Sequence, residues 1–220
     1  MYDAVLQFSE IASQQSTILE KLGLKSKEYL LATVHRPYNT DIPENLQNIL
    51  TAFLEINEPI IFPAHPRTRK LLNDLKLNTK QHIYSTQNSK PNTKNLKLIS
   101  PLGYLDMLML EKNARIILTD SGGMQKEAYF FGVPCVTMRT ETEWVETVQA
   151  GWNVVVGADR EKIINAVRSF KTGNLRPEFY GDGRAAENIV KILCDNFSRR
   201  CMELKEIYDS KGHNQLKGDQ

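Results

Sequence analysis

The chain has 220 residues, a formal net charge of +2 and 41% hydrophobic residues, a composition typical of a globular protein with a sizeable core. The small net charge gives no reason to expect a nucleic acid or a membrane surface as partner, and no apolar run reaches the roughly 18 residues of a membrane span. The three cysteines lack metal-ligand spacing, so we expect no metal site and a reducing, cytoplasmic location. Cys194 and Cys201 are expected to be packing residues on a helix.

Predicted strands and helices alternate along the sequence. A helix at 4–22, ended by Gly23, precedes a strand at 29–34, and a helix from Asp41 as N-cap runs to about 56. The remaining predicted elements are a strand at 59–62, a helix at 66–75, a polar loop at 78–95, a strand at 96–99, a helix at 104–112, a strand at 116–118, a helix at 124–131, a strand at 133–137, a helix at 144–149, a strand at 153–156, a helix at 160–170 and a long helix from about 184 to 208.

This alternation predicts an α/β protein with a Rossmann-like, doubly wound parallel sheet and right-handed crossovers. Sheets of this kind bind ligands beyond the carboxyl ends of their strands. Functional residues are therefore expected directly after strands.

The turn after the fourth predicted strand carries the most informative motif. Ser121, Gly122 and Gly123 follow Asp120 and open a helix, whose free N–H groups and positive dipole end favour an anion. Glycine has no Cβ, so a phosphate can approach the backbone closely. Glu127 lies one helical turn further on, where its carboxylate can accept hydrogen bonds from sugar hydroxyls. An ordinary capped βα turn is the alternative interpretation.

Two other strands are followed by basic residues. His35 and Arg36 come directly after the first predicted strand and can neutralise phosphate charge. His65 follows the second strand and stands between two prolines. A surface or core histidine, or a residue chosen for the turn, remains an alternative for both histidines.

A charged segment follows the fifth predicted strand. It contains Arg139, Thr142, Glu143 and Glu146, with Trp144 among them. Hydrogen bonds to charged groups contribute about 1.5–3 kcal/mol each, so a few such contacts can hold a sugar nucleotide. A charged helix face capped by Thr142 is the alternative.

Together these motifs resemble the non-hydrolysing UDP-N-acetylglucosamine 2-epimerases, which belong to the GT-B structural class. The matching segments, in the order of the family, are Met1–Ala4, His35–Arg36, Pro63–His65, Pro101 with Tyr104–Leu105, Thr119–Gly123 with Gln125 and Glu127, Arg139 with Thr142, Glu143 and Glu146, Ala150–Gly151, Val156–Gly157 and Tyr180–Gly183. The resemblance implies an isomerase that inverts C2 of a UDP-sugar, UDP-N-acetylglucosamine to UDP-N-acetylmannosamine, by eliminating UDP and adding it back. It implies no cofactor.

The resemblance also assigns roles by position. His35, Ser121, Gly122 and Gly123 are expected to contact the phosphates, and Glu127 is expected to bind the ribose hydroxyls. Arg36 and His65 match positions that contact a second, activating UDP-sugar. Met107 is expected near the uracil, and Arg139, Thr142 and Glu143 are expected near the nucleotide and sugar. His35 is expected to assist catalysis, but the base for proton transfer at C2 is not assigned to this chain.

Three positions depart from the common pattern of the family. Met107 stands where an aromatic ring often stacks near uracil, Lys126 stands where many members have glutamate, and Trp144 replaces an arginine. The variant resembles a subgroup that includes enzymes acting on UDP-2,3-diacetamido-glucuronate, so this sugar is an alternative substrate. A GT-B glycosyltransferase half and a non-catalytic UDP-sugar sensor are further alternatives.

The family has an N-terminal domain before the segment that matches Met1. The resemblance therefore implies that residues 1–183 are a UDP-binding domain, one half of a GT-B fold, and that residues 184–220 are a helix with a polar tail. The N-terminal domain, which carries the proton-transfer groups, becomes an expected partner, and a homodimer is allowed. The chain alone is expected to lack epimerase activity.

Overall fold

A computed structural model of the chain describes residues 1–64, 68, 69, 71 and 95–215, with side-chain burial described up to residue 206. The chain divides into two compact units. One spans Ala4–Phe179, and the other combines Met1–Asp3 with Tyr180–Gln220. The first unit contains the sheet, and the second contains the long final helix.

The first unit is built on a parallel sheet whose described strands have the order β3-β2-β1-β4-β5-β6. The strands are β1 (Leu30–Thr33), β2 (Ile60–Pro63), β3 (Leu96–Ile99), β4 (Ile116–Thr119), β5 (Cys135–Thr137) and β6 (Asn153–Val155). β1 pairs with β4, so that Leu30 lies opposite Ile116 and Thr33 opposite Thr119. The strand order reverses between β1 and β4, which opens a crevice at their carboxyl ends. The prediction of a Rossmann-like, doubly wound parallel sheet is confirmed.

Helices connect the strands. Those among the described residues are Tyr2–Gln15, Ile18–Leu22, Pro37–Thr40, Pro43–Glu55, Tyr104–Asn113, Gly122–Phe131, Val145–Gln149, Arg160–Ser169 and Ala185–Gln215. Pro37 and Pro43 each begin a helix, because the fixed φ of proline suits the first turn and no N–H is needed there. Gly132 ends the helix after β4 with a left-handed φ of 62°, which glycine adopts without strain.

Separate apolar clusters cover the two faces of the sheet. Leu30 and Leu118 belong to one cluster, and their neighbours Leu31 and Ile117 belong to the other. Every residue of β1 and β4 is buried as a result. This explains why these strands are continuous apolar runs in the sequence and do not alternate with polar residues.

Two local predictions at helix ends are wrong. Asp41 is not an N-cap, because Ile42 occupies that position, and the N–H of Asp41 closes a short, unpredicted helix by donating to Pro37. The first predicted helix is broken near Ser16, whose hydroxyl donates to Asp106 at 2.6 Å and accepts from the N–H of Ile18. Such side-chain bonds compete with the helical ladder.

The structure leaves two predicted elements untested. Of the helix predicted at 66–75 and the polar loop predicted at 78–95, only residues 68, 69, 71 and 95 are among those described. Both elements therefore stay predictions.

The final helix exposes apolar side chains. Ile189, Leu193 and Phe197 are 57%, 63% and 73% exposed, and Cys194 and Cys201 are exposed as well. The expectation that these cysteines pack is therefore wrong for this structure, because no neighbour covers that part of the helix among the described residues. In the described part of the chain, no helix is both long enough and apolar enough to cross a membrane.

The three cysteines are expected to differ in how fast their thiols react. Burial raises the pKa of the Cys135 thiol to about 12, and Cys135 is 1% exposed, so it should not form the reactive thiolate in the native protein. Titration with a chromogenic disulfide at pH 8 should show two fast thiols, from Cys194 and Cys201, and a third only after unfolding in urea. Three fast thiols in the folded protein would contradict the burial of Cys135.

Candidate functional site

The candidate site lies at the carboxyl ends of β1 and β4, where the strand order of the sheet reverses. The loop after β1 begins at Val34, and the loop after β4 begins at Asp120. Because β1 and β4 are paired in register, these two loops emerge side by side. This is the position at which open α/β sheets bind their ligands.

The carboxylate of Asp120 joins the two loops. It is fully buried and accepts hydrogen bonds from the N–H of His35 at 3.1 Å, the N–H of Arg36 at 3.0 Å and the side-chain amide of Asn39 at 3.1 Å. Nδ1 of His35 lies 3.4 Å from the same carboxylate. The Asn39 amide also donates to the carbonyl of Met138, at 2.8 Å, in the loop after β5. Asp120 therefore holds the backbone of the β1 loop against the end of β4.

Hydroxyl groups shape the turn below Asp120. The hydroxyls of Thr33 and Thr119 are 2.7 Å apart across β1 and β4, and Thr119 accepts from the N–H of Ser121 at 3.0 Å. The Ser121 hydroxyl accepts from the N–H of Met124 at 3.4 Å, which caps the helix after β4. Because the turn is sharp, the N-terminus of this helix faces the β1 loop.

Two glycines form this N-terminus, which opens to solvent at Gly123, while Gly122 is buried. Gly122 and Gly123 are the first helical residues, so their N–H groups have no acceptor within the helix. A Cβ on Gly122 would lie 3.4 Å from Nε1 of Trp144, 3.6 Å from a carboxylate oxygen of Glu143 and 3.8 Å from a guanidinium nitrogen of Arg36. The helix N-terminus and the Arg36 guanidinium both favour an anion, and a side chain at position 122 would take up part of the space between them.

An arginine–glutamate pair borders the same opening. Arg139 makes two parallel hydrogen bonds to Glu143, both 2.8 Å, and these bonds lower the pKa of Glu143 to about 2. A cavity of about 270 Å³ lies beside this pair, and one wall of it is the fully buried Asn39. The residues that line it are Arg36, Pro37, Tyr38, Asn39, Arg139, Thr140 and Glu141. Two arginines and one glutamate line the cavity, so it suits a polar ligand.

A buried polar network fixes the segment that carries Glu143. The Thr142 hydroxyl donates to the side-chain oxygen of Gln125 at 2.5 Å and accepts from the N–H of Trp144 at 3.1 Å. The same Gln125 oxygen accepts from the Asn153 amide at 3.1 Å, and that amide also donates to Thr147 at 3.2 Å. Thr142 thus anchors the loop after β5 to the helix after β4.

Glu127 lies deeper on the helix after β4 and is 8% exposed. Its carboxylate accepts from the Tyr104 hydroxyl at 3.1 Å, and burial together with the Glu127 charge raises the pKa of Tyr104 to about 12. Burial also raises the pKa of Glu127, while hydrogen bonds from Tyr104 and Glu111 oppose this shift. The carboxylate is therefore held in one orientation near the site.

Two of the three residues that depart from the common pattern of the family, Lys126 and Trp144, are paired in the structure. The ammonium group of Lys126 lies 4.2 Å from the centre of the Trp144 ring, a cation–π contact between the helix after β4 and the loop after β5. In the described part of the chain, no cluster of three or more His, Cys, Asp or Glu side chains has the arrangement of a metal site.

The structure brings most of the predicted site residues to one edge of the sheet. Those around the opening are His35, Arg36, Ser121, Gly122, Gly123, Arg139 and Glu143. Thr142 lies behind them in the polar network, Glu127 lies further along its helix, and Met107 packs against the core on the Tyr104–Asn113 helix. His65 lies outside the described residues.

Sequence reasoning missed two residues of the site. From the sequence alone, neither Asp120 nor Asn39 is assigned a role. A signal for Asp120 was present, since an acidic residue directly after a buried strand at a switch point has few structural reasons to be there. The sequence carries no such signal for Asn39, because its role depends on the loop after β1 lying next to the end of β4.

Known proteins share both the sequence and the fold. A family model described as UDP-N-acetylglucosamine 2-epimerase matches residues 1–194. A UDP-N-acetylglucosamine 2-epimerase homolog from Methanococcus maripaludis is 51% identical over 198 residues, which are 88% of this chain and 52% of the relative. A UDP-2,3-diacetamido-2,3-dideoxy-D-glucuronate 2-epimerase from Pseudomonas aeruginosa is 40% identical over 199 residues, which are 88% of this chain and 50% of that enzyme.

The fold matches a solved structure of the same kind. The Methanocaldococcus jannaschii UDP-GlcNAc 2-epimerase, in complex with UDP-GlcNAc and UDP, superposes with a TM-score of 0.75 at 40% identity, over 88% of this chain and 52% of that chain. The chain thus spans about half the length of the relatives it matches. From the family model and these similarities together, the chain belongs to the UDP-N-acetylglucosamine 2-epimerase family.

Proposed function

We propose that this chain is the UDP-binding half of a non-hydrolysing 2-epimerase that converts UDP-N-acetylglucosamine to UDP-N-acetylmannosamine. In that reaction, C2 is inverted by elimination of UDP and its re-addition. The observation that most supports the proposal is that the Gly122 end of the helix after β4 lies next to the Arg36 guanidinium, in the loop that also carries His35. Negative charge grows on a departing diphosphate, and N–H donors and cations already in place stabilise such charge without reorganising.

The proposed roles are those that the resemblance to the family implies. The phosphates lie against His35, Ser121, Gly122 and Gly123, the ribose hydroxyls bond to Glu127, the uracil lies near Met107, and the sugar lies near Arg139, Thr142 and Glu143. A second UDP-sugar uses His65 and Arg36, and the Arg36 guanidinium also borders the phosphate position. The buried Asp120 supports this assignment, because it fixes the backbone of His35 and Arg36 on one side of the phosphate position.

The base that removes the C2 proton is proposed to come from a second polypeptide segment, equivalent to the other half of the relatives. General base catalysis needs a group within about 3 Å of the proton, and none of the proposed contacts supplies one. The apolar side chains exposed on the final helix, Ile189, Leu193 and Phe197 among them, favour such a partner. We further propose that residues 1–183 form the UDP-binding domain, followed by a helix and tail, and that the protein works in the cytoplasm, where it can dimerise.

A second candidate substrate is UDP-2,3-diacetamido-glucuronate. The Pseudomonas aeruginosa relative named for that sugar is 40% identical, and Lys126 lies on the first turns of the helix after β4, stacked on Trp144. A glucuronate carries a carboxylate at C6, which the ammonium group of Lys126 can bind. UDP-N-acetylglucosamine carries a neutral hydroxymethyl group at that carbon, which needs no cation.

Calorimetric titration of the chain with UDP tests the proposed binding site. We expect UDP to bind and ADP to bind at least 10-fold more weakly. The Glu127→Ala variant should lose about 10- to 100-fold in UDP affinity, since it removes hydrogen bonds to a charged group worth about 1.5–3 kcal/mol. Glu161→Ala, on the exposed surface of the Arg160–Ser169 helix, is the matched control and should bind UDP as the wild type does.

Proton NMR of the sugar separates the remaining alternatives. With the amino-terminal half of a relative added, inversion at C2 of UDP-GlcNAc or of the diacetamido-glucuronate identifies the substrate. Transfer of the sugar to an acceptor would instead indicate a glycosyltransferase, and binding without turnover would indicate a sensor. A folded chain that binds no UDP, or one that inverts C2 by itself, would contradict the proposal.

A further inference from the structure

The helix that precedes β4 carries a buried glutamate, Glu111, to which the proposed function assigns no role. Glu111 is only 1% exposed. It lies on the Tyr104–Asn113 helix, seven residues after Tyr104, so the two side chains share a helix face. That helix packs against the helix after β4, which carries Glu127. The carboxyl groups of Glu111 and Glu127 lie within hydrogen-bonding reach of each other.

Among the described residues, the groups that interact with Glu111 are acidic or neutral. Among the described residues it makes no ion pair, and its Oε2 atom has no hydrogen-bond partner. In the part of the chain that the structure describes, these groups are the Glu127 carboxylate, the Tyr104 hydroxyl and the Cys135 thiol. Burial and the Glu127 charge raise the pKa of Glu111 well above its ordinary value. Two neighbouring buried carboxyl groups cannot both ionise without a large cost, so one keeps its proton.

We propose that Glu111 is a positioning residue that keeps its proton and donates it to Glu127 in a hydrogen bond, thereby orienting the Glu127 carboxylate toward the two ribose hydroxyls of the nucleotide. The inference rests on the proposed function, since it takes Glu127 as the ribose ligand. A carboxylate has about four acceptor positions. The Tyr104 hydroxyl and Glu111 fill two of them from the protein side, which leaves two for the adjacent 2′ and 3′ hydroxyls.

The test compares the dissociation constants of UDP and of 2′,3′-dideoxy-UDP. Their ratio isolates the ribose hydroxyls from the phosphates. We expect the wild type to prefer UDP by at least 10-fold. Glu111→Met, which keeps an unbranched side chain but has no donor, should reduce the preference to below about 3-fold and leave the affinity for dideoxy-UDP unchanged. Glu111→Gln should retain the preference, because its amide can still donate to Glu127.

Equal weakening of both ligands by Glu111→Met would overturn the positioning role and leave only a structural one. An unchanged preference in Glu111→Met would overturn it as well. These outcomes leave the proposed function intact, whereas a wild type that binds neither UDP nor dideoxy-UDP would overturn the proposed function and this inference together.

The pH dependence of stability tests the retained proton without any ligand. In the unfolded chain Glu111 ionises near its ordinary value of 4.5, while in the folded chain it keeps its proton to higher pH. Above pH 4.5 the folded state therefore binds more protons, so the stability that this group contributes is lost as the pH rises through the folded-state pKa. Glutamine does not titrate, so the melting temperature of Glu111→Gln minus that of the wild type should increase from pH 4.5 to pH 8. A constant difference would overturn the retained proton.

Discussion

Replacing Asp120 with alanine is expected to lower the free energy of unfolding by about 3–5 kcal/mol, a large part of the roughly 5–15 kcal/mol that keeps a domain folded. The carboxylate is fully buried and accepts from the backbone N–H groups of His35 and Arg36 and from the Asn39 amide. Alanine leaves these donors without an acceptor, and a buried unpaired donor costs about 1–3 kcal/mol. Urea unfolding measures the loss.

Two further variants calibrate that result. Asp120→Asn keeps the size and one acceptor oxygen but turns an amide toward the donors, so we expect a smaller loss of about 1.5–3 kcal/mol. Asp159→Ala removes an exposed carboxylate that caps the Arg160–Ser169 helix by accepting from Lys162, which should cost about 1 kcal/mol. If Asp120→Ala costs no more than Asp159→Ala, Asp120 is not the group that joins the β1 and β4 loops.

The sheet could be predicted because its strands leave a local signature. β1 and β4 are buried on both faces, so each is a continuous apolar run that ends in polar or small residues. Alternation with helices then fixes parallel pairing and right-handed crossovers. The helix ends were less predictable, since the break near Ser16 depends on a hydrogen bond to Asp106, 90 residues away in the chain.

The candidate site was predictable only where its residues follow strands. That rule identified His35, Arg36 and the Ser121 turn without any knowledge of which strands are neighbours. It could not reveal that Asp120 serves the backbone of His35 and Arg36, because this depends on β1 pairing with β4 across more than 80 residues of sequence.

Buried polar residues on helices were the least accessible to sequence reasoning. Glu111 has the appearance of a surface residue in a helix that also carries Asp106 and Lys112, yet the packing of two helices buries it beside Glu127. Thr142 has a capping signature, and its hydroxyl does accept from the N–H of Trp144, but it also donates to Gln125 on the helix after β4. The contacts of Glu111 with Glu127 and of Thr142 with Gln125 join separate elements, so no local pattern encodes them.

Gly122→Ala is expected to weaken UDP binding by at least 10-fold, or about 1.4 kcal/mol, while the protein stays folded. The new Cβ would lie 3.4 Å from Nε1 of Trp144 and 3.6 Å from Glu143, which are ordinary contacts, so the fold can accept it. Gly122 is outside the left-handed region, and alanine favours the helix more than glycine does. The loss must therefore come from the ligand side.

The physical reason is that the methyl group takes the space through which a phosphate approaches the helix N-terminus, 3.8 Å from the Arg36 guanidinium. A phosphate displaced by one methyl group loses hydrogen bonds to charged groups. Gly103→Ala is the matched control, because a Cβ there meets nothing within 4 Å, and it should bind UDP within about twofold of the wild type. Circular dichroism and calorimetric titration of both variants check the prediction. Full UDP affinity in a folded Gly122→Ala would mean that the phosphates bind elsewhere, because a ligand cradled by the amides of 122 and 123 cannot ignore a methyl group between itself and Arg36.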